Sequence, residues 1–187
     1  MMIDRLKDRL PEHARDLRMN LSVITSSAML TAQQAWGAAL AAAVTARNTE
    51  VVTAIAHDAP LSQTAADAAR GAAALMSMSN VYYRFQHVMG DDSAYAQLPA
   101  RLRMQLLGNP GVSYVDFGLW CIAASVIGGG DQYIRDHESA VRDHGGTIEQ
   151  IQDVVRIAAV VHAVAVTLDT APAIELSSAY LSPAVAV

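Results

Sequence analysis

The sequence predicts an all-α protein, and three observations carry that prediction. Alanine, the best helix former, makes up roughly 19% of the chain, while Phe, Trp and Tyr together supply 5%. No segment alternates convincingly between apolar and polar residues at period two, as a half-buried strand would. Helix start and stop signals recur along the whole chain. So few aromatics suit helices that approach closely through small side chains.

The elements follow in order. Leu6, Leu10, Ala14 and Leu17 form an opening helical stripe that Pro11 interrupts. Residues 33–46 are Ala-rich and close at Arg47-Asn48-Thr49, where Asn48 or Thr49 caps a second helix to about His57. Another helix starts at Ser62-Gln63-Thr64-Ala65 and runs through Met76 and Met78; these two alternate, so at most one faces the core. Gly90-Asp91-Asp92-Ser93 is turn-rich, and Asn109-Pro110-Gly111 is a firm break. Residues 116–126 are helical, Asp131 caps a helix to Asp143, and Gly145-Gly146 ends it. Thr147-Ile148-Glu149-Gln150 matches a capping box and opens a long apolar helix to about Leu168.

A length of 187 residues predicts a single domain, 1–187, with a sizeable core. The chain also echoes itself. Gln34-Ala35-Trp36-Gly37-Ala38-Ala39-Leu40 resembles Gly118-Leu119-Trp120-Cys121-Ile122-Ala123-Ala124, and residues 71–76 lie against 157–162. This predicts an internal repeat of roughly 30–85 and 114–170, each half burying the other's apolar face, with 173–187 as a C-terminal tail.

A net charge of −5 and no cluster of basic and aromatic residues argue against nucleic acid. The charged N-terminus does not read as a signal peptide, and apolar stretches such as 157–166 are too short to span a bilayer. No membrane association is expected. The single cysteine, Cys121, excludes an intramolecular disulfide and fits a reducing cytoplasm. Flanked by Trp120 and Ile122, it reads as a small buried hydrophobe. His137-Glu138 lacks the spacing of a zinc-binding His-Glu-x-x-His, and His144 lies about two turns, ~10 Å, from His137. No metal and no cofactor are expected.

The stretch from Asp116 to Glu138, with Gly128-Gly129-Gly130-Asp131-Gln132-Tyr133 at its centre, resembles the active-site helix pair of the alkyl hydroperoxide reductase D (AhpD) family. Ordered pieces elsewhere extend the likeness to roughly residues 3–172: Leu10-Pro11-Glu12-His13, Trp36-Gly37, Thr45-Ala46-Arg47-Asn48, Met78-Ser79-Asn80-Val81-Tyr82-Tyr83-Arg84, Leu102-Arg103-Met104 and Asn109-Pro110-Gly111. The resemblance implies a helical fold with two pseudo-symmetric halves, commonly a homotrimer. It also implies a glutamate at the position of Gly118, cysteines at those of Gly130 and Tyr133, and the histidine that is His137. In the family that cysteine pair reduces peroxides, or a peroxidatic partner protein. The chemistry needs an activated thiolate and a resolving thiol, which Gly130 and Tyr133 do not supply.

The expected site is therefore a repurposed cavity. His137 and Tyr133, one helical turn apart, are the candidate acid/base and donor. Asp131, Gly130, Gly118, Trp120 and Cys121 are the candidate binding positions, the small residues at 118 and 130 enlarging the space. A helix N-terminus following three glycines favours an anionic ligand. The wider superfamily includes carboxymuconolactone decarboxylases, which work without a dithiol. The leading expectation is a cofactor-free enzyme that decarboxylates, isomerises, cyclises or hydrolyses a small organic substrate. Two alternatives stand beside it: a non-catalytic binding protein, and an antioxidant protein using Cys121 or a partner's thiol.

Overall fold

The computed structural model describes the backbone of residues 1–181 and the side chains of residues 1–172. Among these the regular elements are helical: α1 Met2–Arg9, a 3-10 turn Glu12–Ala14, α2 Arg15–Asn20, α3 Val23–Ser26, α4 Ala32–Ala46, α5 Thr49–Asp58, α6 Gln63–Met89, α7 Gln105–Gly108, α8 Tyr114–Gly128, α9 Asp131–Asp143 and α10 Ile148–Leu181. The last part of the expected tail, 182–187, lies outside the described residues.

Two helices form the centre. Residues 34–43 of α4 and 116–125 of α8 are buried without interruption. A helix apolar on every side is a core helix, and α4 and α8 pack against each other and against both α6 and α10. Small residues allow the close approach. The indole of Trp120, wholly buried, lies where a Cβ on Gly37 would stand, and its Nε1–H donates to the Gln34 carbonyl at 3.1 Å.

A polar joint fixes the ends. Thr31 and Gln34 form a reciprocal capping box at the start of α4. Ser113 caps α8 by accepting from the Asp116 amide, and Thr147 and Gln150 make the expected reciprocal pair at the start of α10. Asp116, 8% exposed, then accepts from Gln33 Nε2 at 2.8 Å and Gln34 Nε2 at 2.9 Å. The Gln150 amide donates to Gln34 Oε1 at 3.4 Å. Three helix N-termini thus meet around one buried carboxylate, the charge their dipoles favour.

The outer helices are tied by side chains of the same kind. Asn48 caps α5, accepting from the Val51 amide, and donates to Asp169 on α10 at 2.7 Å. Asp58, at the end of α5, accepts from the Ile3 amide at 2.8 Å and so holds α1 by its first turn. Met76 is in the core and Met78 only partly buried, as their spacing requires.

Two boundary expectations need correction. The last helix does not stop near Leu168 but continues through Pro172 to Leu181. It is also long and apolar enough, over Ile148–Pro172, to cross a bilayer, although the apolar stretch 157–166 alone is too short to do so. Its apolar side is used inside the fold: Val154, Ile157, Ala158, Val161, Val164 and Ala165 are buried in the core shared with α4 and α8.

Replacing Asp116 with alanine leaves the Gln33 and Gln34 amides without their acceptor at a buried joint. The expected cost is about 2–3 kcal/mol of unfolding free energy, read from the midpoint of a urea transition. An unchanged midpoint would show that the joint is not holding the three helices.

Candidate functional site

Glycine builds the turn between α8 and α9. Gly129 adopts the left-handed conformation, φ 72°, that ends α8, and the Gly130 amide returns to the Ser125 carbonyl at 3.1 Å. Gly130, not Asp131, is the N-cap of α9, and no side chain caps that helix. Asp131 is instead its first residue, exposed, and acts on the helix end through charge alone.

Helix α6 covers this turn. The Asn80 carboxamide, 3% exposed, lies against the glycine run. A Cβ on Gly130 would collide with it, and one on Gly128 would come within 2.5 Å of Asn80 Nδ2. One turn further along, Arg84 donates from Nη2 to the carbonyls of Gly128 and Gly129. Tyr83 meets Tyr133 edge to face at 5.2 Å, and the Tyr133 ring stacks on His137 at 5.9 Å. Between α6 and the first turns of α9 remains a cavity of about 70 Å³, lined by Asn80, Tyr83, Arg84, His87, Gly129, Gly130, Asp131, Gln132, Tyr133 and Arg135.

Burial sets the protonation of the two aromatic groups. It pushes the Tyr133 phenol up to about 12, so it remains a donor at neutral pH. It moves His137 below its ordinary value, partly opposed by Asp136, so the imidazole is neutral. His137 Nε2 has no hydrogen-bond partner. Among the described residues, the five buried side-chain nitrogen and oxygen atoms without one are this atom, both amide atoms of Asn80, Ser125 Oγ and Arg18 Nε. Four of the five therefore belong to α6, α8 and α9 around this junction.

The expected site residues divide. Gly130, Asp131 and Tyr133 line the cavity, and His137 reaches it through the Tyr133 ring. Gly118, Trp120 and Cys121 do not; they belong to the core of α8. A Cβ at Gly118 would stand 2.6 Å from Val141 Cγ2, so α9 has closed on that position and no enlarged space exists there. The space expected at Gly130 is likewise taken, by Asn80. Trp120 is occupied with Gly37 and Gln34. His144, two turns beyond His137, turns away to the Ala140 carbonyl and the Tyr114 ring. Cys121 has no exposure, and burial raises its thiol far above the ordinary value, so it is no source of thiolate. The residues that sequence reading missed are Asn80, Arg84 and Arg135. The available signal was only that Asn80 and Arg84 stand four apart on one helix; that they meet the glycine turn is a tertiary fact.

Comparison with known proteins supplies the remaining constraint. Residues 93–176 match the model of the carboxymuconolactone decarboxylase family. Over 176 residues the chain is 47% identical to an alkyl hydroperoxide reductase AhpD of Gluconacetobacter diazotrophicus, covering 93% of this chain and 96% of that protein. It is 49% identical to the AhpD of Rhodospirillum centenum, at 93% and 94% coverage. It is 48% identical to that of Frankia alni, at 95% of both chains. These relatives overturn the expectation of a scaffold converted to non-redox acid/base chemistry. Likeness of this degree over nearly the full length points to the antioxidant alternative, and the extra space expected at Gly118 and Gly130 is taken by Val141 and Asn80.

Two outcomes check this geometry. Cys121 should resist a thiol-specific reagent in the native protein and react fully after denaturation; fast native labelling would mean the core of α8 opens. His137 makes acid unfavourable to the fold. Its pKa is lowered on folding, so below the ordinary value of 6.5 the unfolded chain takes up a proton that the folded chain refuses, and stability falls with pH. Urea midpoints measured across that range should decline less steeply in His137→Gln than in the parent.

Proposed function

The chain belongs to the family of the alkyl hydroperoxide reductase AhpD proteins, and from that premise we propose that it takes part in the reduction of organic hydroperoxides with thiols supplied by a partner. The overall reaction is the conversion of a hydroperoxide and two thiols to an alcohol, water and a disulfide. The observation that carries the reading is the identity of 45–49% to AhpD relatives over at least 90% of this chain. The chain's one sulfhydryl is sealed in the core. Both sulfurs therefore come from another molecule, a dithiol small enough or mobile enough to approach the exposed side of the α8–α9 turn.

What this chain adds is placement. The half-buried Tyr133 phenol, held protonated, is a donor beside the turn for the oxygen released when the O–O bond breaks. A reducing cytoplasm, where a partner's dithiol is continually regenerated, completes the reading. The homotrimer implied by the family resemblance is part of the same proposal. Val81, Phe85 and Val88, spaced along one side of α6, face water in the monomer and support it.

The test is consumption of cumene hydroperoxide by the purified chain with dihydrolipoamide as the dithiol. The chain should accelerate the reaction at least about tenfold over dithiol alone, a barrier change of about 1.4 kcal/mol. Cys121→Ser should be as active as the parent. No acceleration over the dithiol background would overturn the proposal, and loss of activity in Cys121→Ser would return the sulfur to this chain.

A further inference from the structure

The α6–α9 cavity contains more polar capacity than the fold uses. Asn80 is 97% removed from solvent, lines the cavity, and has neither its Nδ2 donor nor its Oδ1 acceptor paired. A buried carboxamide left this way costs its full desolvation, so its natural complement is a bound group that both accepts and donates. The other walls specify charge. Arg84 and Arg135 contribute two guanidinium groups and His87 a third basic side chain, against the single carboxylate of Asp131. The first amides of α9, a helix of 13 residues, have no side-chain cap, and the residues of that first turn, Gly130 to Tyr133, line the cavity.

We propose that this cavity is a seat for a small oxyanion that also carries an O–H group, such as hydrogen phosphate or a 2-hydroxycarboxylate. The anionic oxygens accept from Asn80 Nδ2, Arg135 and the amides at the start of α9, and the ligand hydroxyl donates to Asn80 Oδ1. A cavity of about 70 Å³ suits an anion of a few heavy atoms and no long chain. The orphaned Asn80 amide separates this seat from an ordinary helix end, which would accept any anion. The inference goes beyond the hydroperoxide chemistry proposed above and does not depend on it; it is tested without peroxide or thiol, so either reading can fail alone.

The experiment is calorimetric titration of the full chain with four probes: inorganic phosphate and lactate, which carry an O–H, and sulfate and acetate, which do not. Saturable binding of phosphate or lactate is expected, at least about tenfold tighter than the matching probe without the hydroxyl. Which of the two binds better distinguishes an inorganic from a carboxylate ligand. Asn80→Leu should remove the preference for the hydroxyl-bearing probe, and Arg135→Ala, at an exposed position that leaves the core intact, should weaken every probe about tenfold or more. Absence of saturable binding by all four probes would overturn the proposal. So would equal affinity for probes with and without the hydroxyl, or binding that Arg135→Ala leaves unchanged.

Discussion

One buried carboxylate organises this molecule. Asp116 accepts from Gln33 and Gln34 at the start of α4 while standing in the first turn of α8, and Gln34 in turn accepts from Gln150 in the first turn of α10. Each of those helices also has its own Ser or Thr cap three residues earlier, so the joint links local capping to tertiary packing. With the N-termini of α4 and α8 fixed together, Trp120 is set against Gly37 and the two alanine-rich helices close on each other. The far end of α8 is then placed too. It delivers Gly128, Gly129 and Gly130 to the side of α6 that carries Asn80 and Arg84, and α9 has to begin there.

The chemistry follows from what that arrangement does to sulfur and oxygen. A thiol reacts as thiolate, and a thiolate needs water, a cation or a helix end beside it. Cys121 has none of these: it is enclosed on α8 between residues that are themselves fully buried, and burial drives its ionisation out of reach. Unmet polar groups gather instead at the other end of the helix, where α6, α8 and α9 converge. In the function proposed above, the redox-active sulfur arrives from outside and the chain supplies the surface, the Tyr133 donor and the binding groups around it.

Much of the fold could be read from the sequence because its determinants are local. Alanine content, the absence of period-two segments, the Asn48 cap and the Thr147–Gln150 capping box each act within a few residues, and each appears in the structure as expected. What could not be read is what distant segments do to one another. Gly118 and Gly130 looked like openings, but Val141, 23 residues after Gly118, and Asn80 on α6 occupy those spaces. Asp131 has the residue type of an N-cap, yet the return of the Gly130 amide to Ser125 makes the glycine the cap. The sequence places the end of the last helix near Leu168, but α10 runs on through Pro172, where proline removes only one amide from the ladder and the flanking turns continue across it. The meeting of Asp116, Gln34 and Gln150 joins residues 82 and 116 positions apart, a separation that no local pattern reports.

On the function proposed for it, this chain serves hydroperoxide reduction with sulfur supplied by another molecule. Survival of a bacterial host that lacks its own AhpD, challenged with an organic hydroperoxide while expressing this chain, tests it most directly. Restored resistance is expected, equal for the parent and for Cys121→Ser. Stable accumulation of the folded chain with no gain in resistance would contradict it.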